Sequence, residues 1–73
     1  MARKRYDVVP AGADWEVKHE GAVLSTHSTK PPAIDAGVDW AKANAPSQLV
    51  IYRADGTIED ERNYGDDPSP PPG

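Results

Sequence analysis

Apolar residues between positions 29 and 44 recur with the spacing of a helix, and this stretch is the centre of the predicted fold. Ile34, Val38 and Ala41 fall on one side of a helix over Thr29–Asn44, because intervals of three and four residues bring side chains to the same face. Two prolines lie in its first turn, where a missing N–H costs no intrahelical hydrogen bond. The pattern predicts one helix of about four turns.

The segments on both sides of this helix are typical of β-strands. In residues 15–20, Trp15, Val17 and His19 alternate with charged side chains, which favours a strand with one buried face. Residues 47–53 contain four consecutive apolar positions, as in a central strand, whereas residues 57–62 are mostly charged and suit an edge. Strands are predicted at residues 6–9, 15–20, 22–27, 47–53 and 57–62.

The order of these elements predicts an α+β fold. It is a small antiparallel sheet in ββ(β)αββ order, with one helix packed on one face. The chain is too short for a parallel βαβ design. A single domain is expected over residues 6–65, preceded by a basic arm at residues 1–5 and followed by a Pro-rich tail at residues 66–73, extended or disordered. Deleting this tail is expected to leave the fold intact.

Composition narrows the function classes. The 73 residues carry a net charge of −4 and contain no cysteine. The absence of cysteine fits a reducing cytoplasm and predicts neither disulfides nor a zinc site. No apolar run is long enough for a membrane span, and no secretory signal is recognisable. A chain of this length buries a marginal core, so association with a second copy is an expected source of stability.

Several motifs in fixed order resemble a known family. They are the strand Trp15-Glu16-Val17-Lys18, the helix entry at Ser28-Thr29-Lys30, Ala33-Ile34 and Ala41-Lys42 within the helix, the turn Asp55-Gly56 and the ending Tyr64-Gly65-Asp66-Asp67-Pro68. Together they span roughly Tyr6 to Pro72, and the chain resembles the short bacterial and phage proteins grouped as domain of unknown function 2188. The resemblance implies a ββαββ-like unit. It brings no activity, cofactor or catalytic residue.

The candidate catalytic groups do not form a recognisable motif. His19 and His27 are the acid/base candidates near neutral pH, but no nucleophile motif or phosphate loop accompanies them. Glu59 and Glu61 are expected on one face of a solvated edge strand, where nothing desolvates a carboxyl group. We therefore expect a protein that is not an enzyme and needs no cofactor.

The preferred function is binding to protein, with a homodimer as the first expectation. Strand parity directs Val50 and Tyr52 away from the helix, Val9 is expected beside them, and an apolar patch left in water favours association. The competing prediction is that Pro70–Pro72 cover the tyrosine ring.

The alternative is a small nucleic-acid-binding protein. Phosphate contacts need clustered cations, and the candidates are Arg3, Lys4, Arg5, Lys18 and Lys30. The acidity of the C-terminal half argues against binding by the whole surface.

Overall fold

A computed structural model describes residues 3–65 of the chain. Five strands and one helix follow one another as β1 (Lys4–Ala11), β2 (Asp14–His19), β3 (Ala22–His27), α1 (Lys30–Ala43), β4 (Ser47–Tyr52) and β5 (Ile58–Tyr64). The predicted α+β class, the third strand and the single helix are confirmed. The predicted tail at residues 66–73 lies outside the described residues.

The sheet is mixed, with strand order β3-β2-β1-β4-β5. Neighbouring pairs β1–β2, β2–β3 and β4–β5 are antiparallel, as predicted, but β1 and β4 run parallel at the centre. The expectation of a purely antiparallel sheet was therefore wrong. The 19-residue stretch between β3 and β4, which contains α1, is long enough for the crossover that a parallel strand requires.

The core lies between α1 and the sheet face that it covers. Tyr6, Val8, Val17, Leu49 and Ile51 are buried there, and they alternate with side chains on the other face because successive strand residues point to opposite sides. This confirms the predicted inward parity of β2 and β4. We call the uncovered side, which faces away from α1, the open face.

Helix and sheet approach each other closely at Gly37. A Cβ atom at this position would lie 2.9 Å from Cγ2 of Val8 and 3.0 Å from Cδ1 of Leu49. Ordinary contacts between carbon atoms are about 3.5–4.0 Å. The absence of a side chain therefore sets the distance between α1 and the two central strands.

The first strand begins earlier than the sequence predicts. Lys4 and Arg5 pair with Ser47 and Gln48 of β4, so they are part of the sheet rather than of a separate basic arm. Backbone pairing with the parallel neighbour extends β1, and the long charged side chains remain exposed. No helix within residues 3–65 is long and apolar enough to cross a membrane.

Candidate functional site

The predicted self-association residue Val50 does lie on the open face, but it is not exposed to solvent. It is opposite Asp7 of β1 and Glu61 of β5 in the strand registers, and only 1% of it is accessible. Polar side chains with aliphatic stems on the neighbouring strands can cover such a small residue. The premise that Val50 would be left in water was therefore wrong, although the self-association face remains a prediction.

Part of the apolar surface on the open face is a short row across three strands. Tyr52 pairs with Ile58 of β5, and Val9 and Tyr52 directly follow the paired residues Val8 and Ile51. Val9 and Tyr52 are half-buried, whereas Ile58 is 44% exposed. We call Val9, Tyr52 and Ile58 the apolar row. Two of its three members are predicted from the sequence.

Ile58 was missed because a β-bulge interrupts strand alternation beside it. The register between β4 and β5 shifts between Ile51 and Tyr52, and a bulge changes the face to which the following side chains point. The sequence signal is the Asp55-Gly56 turn, since turns with a glycine at positive φ often carry an adjacent bulge. Gly56 has φ +89°, as this turn type requires.

The same bulge separates two carboxylates expected on one face. Glu59 forms an ion pair with Lys30 at the start of α1. The Glu61 carboxylate instead accepts a hydrogen bond at 3.4 Å from the Gln48 amide on the open face. The expected pairing of Glu59 and Glu61 on one face is therefore wrong.

Arg5 connects the polar and apolar parts of the open face. Its Nε donates to Oδ1 of Asp7 at 2.9 Å, and its Nη2 donates to the hydroxyl of Tyr52 at 2.9 Å. The hydrogen bond and charge of Asp7 raise the pKa of the Arg5 guanidinium, which stays cationic in any case. This network holds the Tyr52 ring in the middle of the apolar row, between Val9 of β1 and Ile58 of β5.

The five cations proposed for nucleic-acid binding do not form one patch. Arg5 and Lys18 are on the open face, where Lys18 lies opposite Asp7. Lys30 lies on the helix side, paired with Glu59 and 5.0 Å from the Trp15 ring centroid.

The remaining two cations lie at the start of β1. Arg3 donates to the carbonyl oxygen of Ser47 at 3.1 Å and to Asn63 at 3.4 Å. Lys4 is exposed and pairs with Ser47, whose side chain is on the helix side. With carboxylates interleaved among the cations, the geometry gives little support to the clustered positive surface that phosphate binding needs.

The two edges of the sheet differ sharply in charge. β5 contains Glu59, Asp60, Glu61 and Arg62, whereas β3, AVLSTH, contains no residue that is formally charged at pH 7. Charged side chains are a common means of blocking an edge against pairing with another chain. By this criterion β5 is a protected edge and β3 is not.

Both histidines form hydrogen bonds within the described part of the chain. Nδ1 of His19 lies 2.8 Å from the carbonyl oxygen of Arg5, and its ring stacks on Tyr6 with centroids 4.6 Å apart. His19, which lies on the same face as Trp15 and Val17, is thus hydrogen-bonded at the end of β2. His27 Nε2 is 2.9 Å from Ser25 Oγ. No three potential metal ligands converge among residues 3–65.

The two tryptophans occupy different environments. Trp15 packs against the core as predicted, although it is only partly buried. Trp40 is 40% exposed on α1 and lines an open concavity of about 330 Å³ with Ala36, Asp39, Ala43 and Asn44. Trp40 is therefore not part of the core.

Comparison with known proteins identifies the family. The sequence pattern of the family described as "Uncharacterized protein conserved in bacteria (DUF2188)" matches residues 6–64. The chain belongs to this family. The DUF2188 resemblance inferred from the motifs is thus confirmed over almost all of the described residues.

One DUF2188-like relative supports the same assignment. The chain is 34% identical over 64 residues to "Uncharacterized protein YycD" of Bacillus subtilis (strain 168), and the match covers 84% of this chain and 97% of the relative. No solved structure matches the chain significantly. The matched family and this relative are bacterial, and neither is assigned an activity.

Proposed function

We propose that this DUF2188 protein is a non-catalytic interaction module that binds a second copy of itself through its sheet. The observation that carries the proposal is the exposure of two apolar side chains on the open face. Val23 on β3 is 49% exposed and Ile58 on β5 is 44% exposed, and no element within residues 3–65 covers this face. A twofold contact through the sheet would remove apolar surface from water.

The size of the chain supports this proposal. A domain of about 60–70 residues without disulfides or metal has a small core. Burial between two copies would add stability that the single copy lacks, and it would make stability depend on protein concentration.

Sedimentation equilibrium between 1 and 100 µM tests the proposed function. A reversible monomer–dimer equilibrium is expected in this range, because a small contact of this kind is of modest affinity. A parallel denaturation series should show the melting temperature rising with concentration. A monomer at 100 µM, with a melting temperature independent of concentration, would refute self-association.

The same preparation tests the nucleic-acid alternative. Binding to a mixed-sequence DNA duplex or to RNA at 20 mM salt is expected to be absent, because Arg5 and Lys30 are paired with carboxylates on opposite sides of the sheet. Retention that weakens steeply as salt rises would favour phosphate contacts over the proposed function.

A further inference from the structure

β3 is the strand edge best suited to pairing with another strand. Apart from its ladder with β2, β3 takes part in no backbone hydrogen bond within residues 3–65. Within the described residues, its outward N–H and C=O groups are therefore free to pair with an added strand. The opposite edge, β5, is crowded with charges.

Charge identifies a second copy as a suitable occupant of β3. Each chain carries a net charge of −4, so two copies repel each other on average. Contact through β5 would bring Glu59, Asp60 and Glu61 of both copies together. Contact through β3 would place no formal charge at the junction at pH 7, which minimises this repulsion.

The side of the sheet on which each β3 side chain lies is compatible with one register of β3 pairing. Ser25 lies opposite the buried Val17, and Leu24 packs against the core, so both are on the helix side. Val23 and Thr26 lie opposite Lys18 and Glu16 on the open face. Two consecutive residues on the same side are the consequence of the β-bulge in β3.

We propose that β3 of one copy pairs antiparallel with β3 of a second copy, about a twofold axis between Leu24 and Ser25. This inference rests on the proposed self-association and names its contact. In this register Leu24 lies opposite Ser25, Val23 opposite Thr26 and Ala22 opposite His27. Every pair then joins side chains on the same side, whereas a shift by one residue would oppose an inward to an outward side chain.

The proposed contact would extend the sheet to ten strands, with both helices on one side. Val23 would gain the β-branched Thr26 of the partner as its cross-strand neighbour, a type of pair that stabilises sheets. The bulges of both copies lie at the twofold axis. Each bulged strand therefore pairs with an equally twisted strand rather than with a regular one.

Charge variants at Val23 and Thr26 test this register. In V23K/T26K the two lysines of each cross-strand pair repel, whereas in V23E/T26K each pair is an ion pair. We expect the dissociation constant of V23K/T26K at low salt to exceed that of V23E/T26K by about tenfold. Circular dichroism checks that both variants fold, and D60K on the opposite edge strand β5 serves as the charge control. I58K tests instead for a contact at the apolar row.

Cysteine pairing provides a second test, because the chain has no cysteine of its own. Under mild oxidation V23C/T26C should form a covalent dimer, since directly opposed strand residues have Cβ atoms about 4.5–5.5 Å apart. Within one strand these positions are separated by roughly 10 Å, too far for a disulfide. V23C alone should form little covalent dimer under the same conditions.

The outcomes separate this inference from the proposed function. A wild-type dimer with equal affinity in the two charge variants and no cross-link would overturn the β3 contact while self-association stands. Loss of the dimer in I58K alone would place the contact at the apolar row instead. A wild-type monomer at 100 µM would remove both proposals.

Discussion

Replacing Gly37 by alanine tests whether the spacing between helix and sheet is set by backbone contact. In an isolated helix this substitution is favourable by about 1 kcal/mol, because alanine has the higher helix propensity. Here the new methyl group would meet Val8 at 2.9 Å and Leu49 at 3.0 Å. The effect of the substitution therefore depends on which of these terms is larger.

The packing term is expected to be the larger. Val8 is β-branched and fully buried in the central strand, so its Cγ2 has little freedom to move, although the end of Leu49 can adjust. Overpacking of a core costs about 1–3 kcal/mol. After the gain in propensity, we expect Gly37→Ala to lower the free energy of unfolding by about 1 kcal/mol.

Urea denaturation followed by circular dichroism measures this change. Asp39 is exposed on the same helix, so the difference between Asp39→Ala and Asp39→Gly gives the propensity term without the clash. Val8→Ala removes the methyl group at the closest contact, and the double variant should cost less than the sum of the two single changes. Stabilisation by Gly37→Ala equal to the Ala–Gly difference at Asp39 would refute the reasoning.

Three further predictions concern the turn, the end of β5 and the core. Hydrogen bonds from the hydroxyl and N–H of Thr57 lower the pKa of Asp55; its stabilising effect is thus present above the unfolded pKa of about 3.9 and lost as pH falls through the folded value. Asp55→Asn should remove that part of the acid dependence in urea titrations between pH 2 and 7. Gly65→Ala should lower the melting temperature, since Gly65 has φ +76° and an added Cβ would lie 2.4 Å from that of Ala45; an unchanged value would contradict this. Trp15→Ala should cost about 2–3 kcal/mol, below the usual range of about 3–5 for a buried tryptophan, because the ring is only partly buried; a well-folded variant of wild-type stability would show that the ring is not part of the core.

Local patterns in this sequence predict its elements well. The spacing of Ile34, Val38 and Ala41 predicts a helix, and the structure has one at Lys30–Ala43. Alternation in β2 correctly predicts which side chains face inward. Such periodicities are visible in sequence because burial acts on side chains within a single element.

Strand pairing could be predicted less well from the sequence. The parallel contact of β1 with β4 joins segments about 40 residues apart, and both orientations are compatible with the same alternation. Strand length was underestimated at Lys4 for the same reason, since pairing partners rather than propensity extend β1. Non-local pairing is the information that one sequence, read locally, does not contain.

The candidate surface was only partly predictable. Parity identified Val9 and Tyr52, but it placed Val50 in water, whereas Val50 lies between Asp7 and Glu61 of the neighbouring strands and is buried. The bulge beside Tyr52 brought Ile58 to the open face and separated Glu59 from Glu61. The Asp55-Gly56 turn signals a nearby bulge but not the residue at which the bulge falls, so strict alternation along β5 misplaces these side chains.

The central position of β1 has a consequence for synthesis on the ribosome. β1 is the first of the five strands to leave the exit tunnel. Its parallel neighbour β4 is the fourth strand to be synthesised. Until residue 52 has emerged, the nascent β1–β2–β3 meander leaves one edge of β1 without a partner strand. The side chains that later form the core are then only partly covered. Folding of this sheet is therefore expected to await the synthesis of β4, and fragments ending before β4 are expected to be poorly folded substrates for chaperones and proteases.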